Sequence, residues 1–208
     1  MKRILLTWVS SWIWNSLAHF LSGDYEVYWI SRQDPQIPNI KHSKVDISDF
    51  TSLKEYLSSL SWISFDVLIL NAWVWFFDEI CNLWYDEIIT TINTNLTANV
   101  LIFNSLLCTL PKDATIIFIW SLASKKFFKH GCVYQASKFW LRWFAWSLRN
   151  DIKQNVHILN PWFVDSKNFY KNSRLDIYAK HKETKIEDII KIVSDILVCK
   201  EKRFEIDF

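Results

Sequence analysis

Lys2-Arg3-Ile4-Leu5-Leu6-Thr7, then Asn15 to Leu21, then Tyr25-Glu26-Val27-Tyr28-Trp29-Ile30-Ser31: this opening stretch decides the fold. The first and last runs are short and apolar, the signature of buried strands, while the stretch between them carries helical spacing. Strand, helix, strand in one compact unit is a parallel pair with a helical crossover. The pattern then repeats outward. Apolar runs at Phe65–Leu70, Thr115–Ile119 and Val156–Leu159 end at Asn71, near Ser121 and at Asn160-Pro161. Helical sequence fills Leu83–Leu110 and Val133–Arg149, the latter closing in Asn150-Asp151. A polar segment, Lys167–Lys185, leads to an apolar helix at Ile186–Val198 and a last strand at Arg203–Phe208. The expected architecture is one domain over residues 1–208, a three-layer α/β fold with a doubly wound parallel sheet flanked by helices. In such sheets ligands bind beyond the carboxyl ends of the strands.

Composition narrows the function classes. The 208 residues are 50% hydrophobic and 22% charged, as in a globular domain with a full core. A net charge of +2 gives no reason to expect nucleic acid or an anionic membrane as partner. No stretch reaches the roughly 18 apolar residues of a membrane span, and the amino-terminal run is too short for a signal peptide. Cys81, Cys108, Cys132 and Cys199 are scattered, without zinc spacing or disulfide density, so a cytoplasmic location is expected. His19, His42, His130, His157 and His181 show no ligand spacing, and no metal is expected.

Chemistry enters at Tyr134-Gln135-Ala136-Ser137-Lys138, which sets a phenol and an ammonium four residues apart on one helix face. A lysine so placed stabilises phenolate and makes the tyrosine a proton donor and acceptor. Ser121 lies 134 − 121 = 13 positions earlier, just past an apolar run. Other segments follow in order: Thr7-Trp8-Val9-Ser10-Ser11-Trp12-Ile13-Trp14, Asp46-Ile47, Asn71-Ala72-Trp73, Asn95-Leu96-Thr97, and Asn160-Pro161-Trp162-Phe163-Val164-Asp165-Ser166. Over residues 2–166 this set resembles the short-chain dehydrogenase/reductase family, which implies a Rossmann fold, an NAD(P) cofactor and oxidoreductase activity. The first segment looks like the family's Thr-Gly-x-x-x-Gly-Ile-Gly cofactor loop. Asn71-Ala72-Trp73 looks like its Asn-Ala-Gly motif, and the last segment like its Pro-Gly loop, with Ser166 at the usual threonine position.

The resemblance implies a role for each residue. Tyr134 is the general acid in carbonyl reduction and the base in alcohol oxidation. Lys138 depresses the Tyr134 pKa and holds the nicotinamide ribose. Ser121 orients the substrate oxygen, and Asn95 anchors a water linked to Lys138, with Asn93 as a nearby competitor. The cofactor set is Trp8, Ser10, Ser11, Trp12, Ile13, Trp14, Arg32, Asp46, Ile47, Asn71, Ala72, Trp73, Tyr134, Lys138, Pro161, Trp162, Val164 and Ser166. At the end of the second strand, Ser31 stands where NAD enzymes place an acid and Arg32 follows, which favours NADP(H) over NAD(H), with Asp34 as a competing carboxylate. A small carbonyl or alcohol substrate and a homo-oligomer, dimer or tetramer, are further expectations. The alternative class is a non-catalytic Rossmann-fold protein that senses a nucleotide or binds a partner.

One departure is systematic. Average usage of about 7% would give roughly 15 glycines, yet the chain has 2, beside 13 tryptophans. Tryptophan stands at the family's glycine positions 8, 12, 14, 73 and 162. Trp29, Trp62, Trp75, Trp84, Trp120, Trp140 and Trp143 sit in glycine-like contexts as well, whereas Trp146 reads as genuine. The expectation is that the source organism reads the codon UGA as glycine, and that tryptophan stands here where the native chain has glycine.

Overall fold

A computed structural model describes residues 1–7, 12–164 and 183–208. Strands β1 (Arg3–Thr7), β2 (Glu26–Ser31), β3 (Ile40–Lys44), β4 (Val67–Leu70), β5 (Thr115–Ile119), β6 (Asn155–Asn160) and β9 (Glu205–Asp207) form a seven-stranded sheet. Its order is β3-β2-β1-β4-β5-β6-β9, and every adjacent pair is parallel. Two residue pairs, β7 (Phe163–Val164) and β8 (Glu183–Thr184), make a separate small parallel ladder.

The central strands are apolar on both faces because both faces are covered. Leu5, Leu68, Ile116 and Ile158 enter one core with helices α2 (Phe50–Ser59), α4 (Ala98–Leu106) and α5 (Cys132–Asp151). Ile4, Leu6, Ile69, Ile117 and Leu159 enter the other, with helices α1 (Trp12–Ser22) and α6 (Ile186–Leu197). Period-two alternation thus builds the three layers expected from the sequence. Deleting one such buried leucine side chain costs about 2–5 kcal/mol.

Two elements carry no strong apolar signal. Strand β3, Ile40-Lys41-His42-Ser43-Lys44, is a polar sheet edge. Helix α2 buries only Leu53 and Leu57, and Asp49 caps it by accepting from Thr51 N at 3.0 Å and Ser52 N at 3.4 Å. Such a cap is worth about 1 kcal/mol.

The long helix expected at Leu83–Leu110 is divided. Helix α3 (Tyr85–Ile92) passes through one π-helical turn at Asn93–Thr97 before α4 begins. A π turn inserts a residue into the helical ladder and often marks a functional position; here it carries Asn95.

The sheet order reverses between β1 and β4, which continue in opposite directions across the sheet. That switch point opens a crevice at the strands' carboxyl ends. Among the described residues no helix is long and apolar enough to cross a membrane.

Candidate active site

Ser121, Tyr134 and Lys138 come together at the carboxyl end of β5. Ser121 follows the strand in extended conformation and accepts from Ala123 N at 3.1 Å, capping a short turn over Leu122–Ser124. Helix α5 brings Tyr134 beneath it, close enough for the Ser121 hydroxyl to act on the phenol's pKa. Tyr134 is 4% exposed and Lys138, one helical turn along, 1%. Lys138 Nζ lies 5.7 Å from the Tyr134 ring centre.

Burial governs the charge of both groups. It raises the Tyr134 phenol above its ordinary value, while the Ser121 hydroxyl acts in the opposite direction. It lowers Lys138 to about 7. A lysine favours phenolate only as ammonium, and burial opposes that form. The lowered phenol pKa implied by the family therefore requires an environment that restores charge to Lys138. The sign for folding is clear as well: between about pH 7 and the ordinary lysine value the unfolded chain binds the extra proton, so this residue makes stability rise with pH there.

Asn95 is fully buried and acts as a bracket. Its Oδ1 accepts from Val74 N at 2.7 Å, and its Nδ2 donates to Val74 O at 2.8 Å and to Ser137 Oγ at 3.0 Å. Ser137 Oγ in turn donates to Tyr134 O at 2.6 Å. One amide thus joins the loop after β4 to the helix turn that carries Tyr134 and Lys138. Asn93 and Asn95 both fall in the π turn, and it is Asn95 that reaches α5.

A cleft of about 220 Å³ opens beside this group, lined by Arg32, Asp46, Ile47, Ala72 and Trp73 together with Ser48, Val74 and Thr94. Five residues expected from the sequence to hold the cofactor thus share one cavity. Thr7 Oγ1 accepts from Asn71 N at 3.0 Å and Ala72 N at 3.2 Å, tying β1 to the cleft wall. Asn71 is buried at the head of that wall, and its side-chain nitrogen and oxygen have no hydrogen-bond partner among the described residues. Orphaned polar atoms beside a polar cleft fit a bound polar ligand. Ser31 is turned away, donating to Gln33 O at 2.6 Å and sitting 2.9 Å from His42 Nε2. Arg32 remains the residue at the tip of β2 that lines the cleft; Asp34 accepts instead from Gln36 N at 2.8 Å.

Aromatic side chains wall the Tyr134 phenol. Trp75, Phe77, Ala123 and Tyr134 form one buried cluster, with Trp73 and Phe128 packed on it. The Phe77 ring centre is 5.6 Å from that of Tyr134 and 4.9 Å from that of Trp75. Gly131 heads α5 because a Cβ there would stand 2.6 Å from the Phe77 ring. Gln135 clasps the loop before it, accepting from Phe128 N at 3.0 Å and donating to Phe128 O at 2.9 Å. Gln135, Ser137 and Phe77 were not singled out in the sequence, where nothing distinguishes a buried clasp from a surface glutamine.

Of the other expected cofactor residues, Trp8, Ser10, Ser11 and Ser166 lie outside the described residues, and only the backbone of Trp12 and Ile13 is described, as the start of α1. Trp14 is buried in the core between α1 and the sheet. Pro161 O accepts from Leu122 N at 3.1 Å. Trp162 N lies 3.0 Å from Phe208 O and 2.9 Å from Thr184 Oγ1, and Lys126 Nζ stands 3.9 Å over its ring. Val164 falls in β7.

A family model for short chain dehydrogenases matches residues 29–175. A search of curated proteins finds no match. Among solved structures, an alcohol dehydrogenase from the archaeon Thermococcus sibiricus, complexed with 5-hydroxy-NADP, is 19% identical with a TM-score of 0.83, over 100% of this chain and 96% of the other. A short chain dehydrogenase family protein from Francisella tularensis is 20% identical with a TM-score of 0.85, over 100% and 97%. A 3-ketoacyl-(acyl-carrier-protein) reductase from Brucella melitensis, complexed with NADH, is 17% identical with a TM-score of 0.82, over 99% and 96%.

Proposed function

The chain belongs to the short-chain dehydrogenase family of NAD(P)-dependent oxidoreductases, and from that premise we propose that it is an NADP(H)-dependent reductase of a small ketone or aldehyde, with Ser121, Tyr134, Lys138 and Asn95 as its site. The observation that carries this reading is the buried pair Tyr134 and Lys138, one helical turn apart on α5 beneath Ser121, beside a cleft lined by Arg32 and Asp46. The orphaned Asn71 amide fits a nucleotide in that cleft.

The nicotinamide supplies the hydride when bound. Tyr134 donates its phenolic proton to the substrate oxygen in reduction, and takes it back in alcohol oxidation. Ser121 donates a hydrogen bond to the same oxygen, orienting it and stabilising the charge that develops there. Lys138 serves the ribose hydroxyls, and its ammonium form favours Tyr134 as phenolate. Asn95 holds the loop and helix in register and, as in the family, anchors the relay water.

Arg32 supports the choice of NADP(H), because a guanidinium can pair bidentately with a 2′-phosphate. In the chain with Gly at positions 8, 12, 14, 73 and 162, Arg32→Ala should raise the KM for NADPH roughly 10-fold or more and leave that for NADH within about twofold. An equal loss with both nucleotides sinks the preference.

The tryptophans belong to the same reading: the native chain carries glycine at positions 8, 12, 14, 73 and 162, from UGA codons. Trp62, Trp84, Trp140 and Trp143 are 81%, 70%, 69% and 67% exposed, an unusual fate for so large an apolar surface. Trp73 and Trp75 crowd the catalytic phenol. A peptide mass spectrum over residues 4–32 of protein from its native cell should read glycine at 8, 12, 14 and 29; tryptophan at those positions overturns the assignment. An oligomer built first on a two-fold axis is part of the proposal, supported by the exposed apolar side chains Phe127 and Leu101 beside α5 and on α4.

A further inference from the structure

We propose that the carboxylates of the last strand, Glu205 and Asp207, are positioning residues for catalysis, because they clamp the two segments that carry Ser121 and Tyr134 to each other and to the end of β6. The inference rests on the reductase reading above. Strand β9 pairs with the end of β6, Ile158 against Glu205 and Asn160 against Asp207. Ile206 points into the core with α1 and α6, so alternation turns Glu205 and Asp207 to the opposite face, that of α5.

Three groups converge there. Glu205 accepts from Arg142 Nε at 2.7 Å and Nη2 at 3.0 Å, a bidentate pair, and from Asn160 Nδ2 at 2.8 Å. Lys125 Nζ is 2.9 Å from Glu205 and bridges to Asp207, at 2.6 Å and 2.9 Å from its two oxygens. Asn160 Nδ2 also reaches Asp207, at 2.9 Å. Two carboxylates face two cations, so the cluster balances its own charge. Glu205 has a side chain only 11% exposed; burial raises its pKa, yet the bonds from Arg142, Lys125 and Asn160 outweigh this and hold it at about 2.

Two of the tied groups stand one step from a reacting one, and the third ties in the end of β6. Lys125 ends the turn that Ser121 opens. Arg142 lies one helical turn beyond Lys138 on α5, on the face that also carries Tyr134. Asn160 ends β6 just before Pro161-Trp162, and its Oδ1 accepts from Ser124 Oγ at 3.3 Å. Two hydroxyls from different segments must meet one substrate oxygen at about 3 Å, so a shift between segments of about 1 Å costs rate roughly 100-fold without removing any reacting group. The clamp fixes that relation and touches neither substrate nor cleft.

The test uses the full chain with Trp8, Trp12, Trp14, Trp73 and Trp162 replaced by Gly, compared with and without Glu205→Gln. This variant keeps the side chain's shape while weakening the bidentate pair. Expected is a fall in kcat of roughly 10- to 100-fold, with the KM for NADPH and the number of NADPH sites per chain unchanged, and partial recovery in Glu205→Asp. A kcat within twofold, or a loss only in proportion to the NADPH sites lost, overturns the proposal and leaves a purely structural clamp. Hydrogen exchange on the same pair needs no turnover. Residues 119–126 should exchange faster in Glu205→Gln while α1 and α2 stay as they were, and unchanged exchange at 119–126 overturns the proposal. If the parent chain itself turns over no carbonyl, the reductase reading fails and the exchange result still decides whether the clamp positions the Ser121 segment.

Discussion

In the chain with Gly at positions 8, 12, 14, 73 and 162, Tyr134→Phe should lose carbonyl reduction by a factor of about 1,000, within the range that a positioned general acid supplies, while NADPH binding stays within about twofold. The variant deletes one oxygen and keeps the ring, so the packing against Phe77 and the buried Trp75 cluster persists. What it removes is the phenolic hydroxyl that α5 brings beneath Ser121. Ser121 would still orient the substrate, but no proton donor would remain at the oxygen. Initial rates of NADPH oxidation with a carbonyl panel measure the loss, and fluorescence of bound NADPH measures the binding. Turnover within about fivefold of the parent chain contradicts the mechanism. Tight binding with no turnover in the parent as well would move the chain to the non-catalytic class of nucleotide-binding proteins.

The fold was readable because its central strands are buried on both faces. Runs such as Thr115–Ile119 are apolar without alternation, and the structure places that strand at the same bounds. Strand β3 and helix α2 escaped because each offers solvent at least one face: β3 is a polar edge, and α2 buries two leucines. The α3–α4 boundary escaped for a different reason. A π turn keeps helical periodicity almost intact, so only the three bonds of Asn95 reveal why the ladder is interrupted.

The site divides in the same way. Ser121, Tyr134 and Lys138 could be picked out as candidates from spacing because the chemistry proposed for them fixes both residue type and separation. Arg32, Asp46, Ile47, Ala72 and Trp73 fall in one cleft because each ends a strand or follows one at the switch point. Gln135, Ser137 and the Glu205 cluster could not be found from spacing. The partners of Ser137 and Glu205 lie at separations, 42 residues from Asn95 and 63 from Arg142, that only the finished fold brings together, and Gln135 closes on Phe128 through a loop with no regular spacing.

The second large effect concerns the indoles. In the family's phosphate-binding loop, backbone N–H groups approach a diphosphate where glycine leaves room. Each charge-assisted hydrogen bond contributes about 1.5–3 kcal/mol, so losing two of them to bulk weakens binding by roughly 100-fold or more. Trp14 enlarges the problem, since its buried indole lies between α1 and the sheet where the family packs helix closely on strand. Replacing Trp8, Trp12, Trp14, Trp73 and Trp162 by Gly should therefore create a nucleotide site that the tryptophan form lacks. The direct measurement is a titration of both forms with NADPH, followed by the fluorescence of the bound nucleotide. The account predicts saturable one-to-one binding by the glycine form and at least about 100-fold weaker binding by the tryptophan form; equal affinity in the two, or no binding by the glycine form, would contradict it.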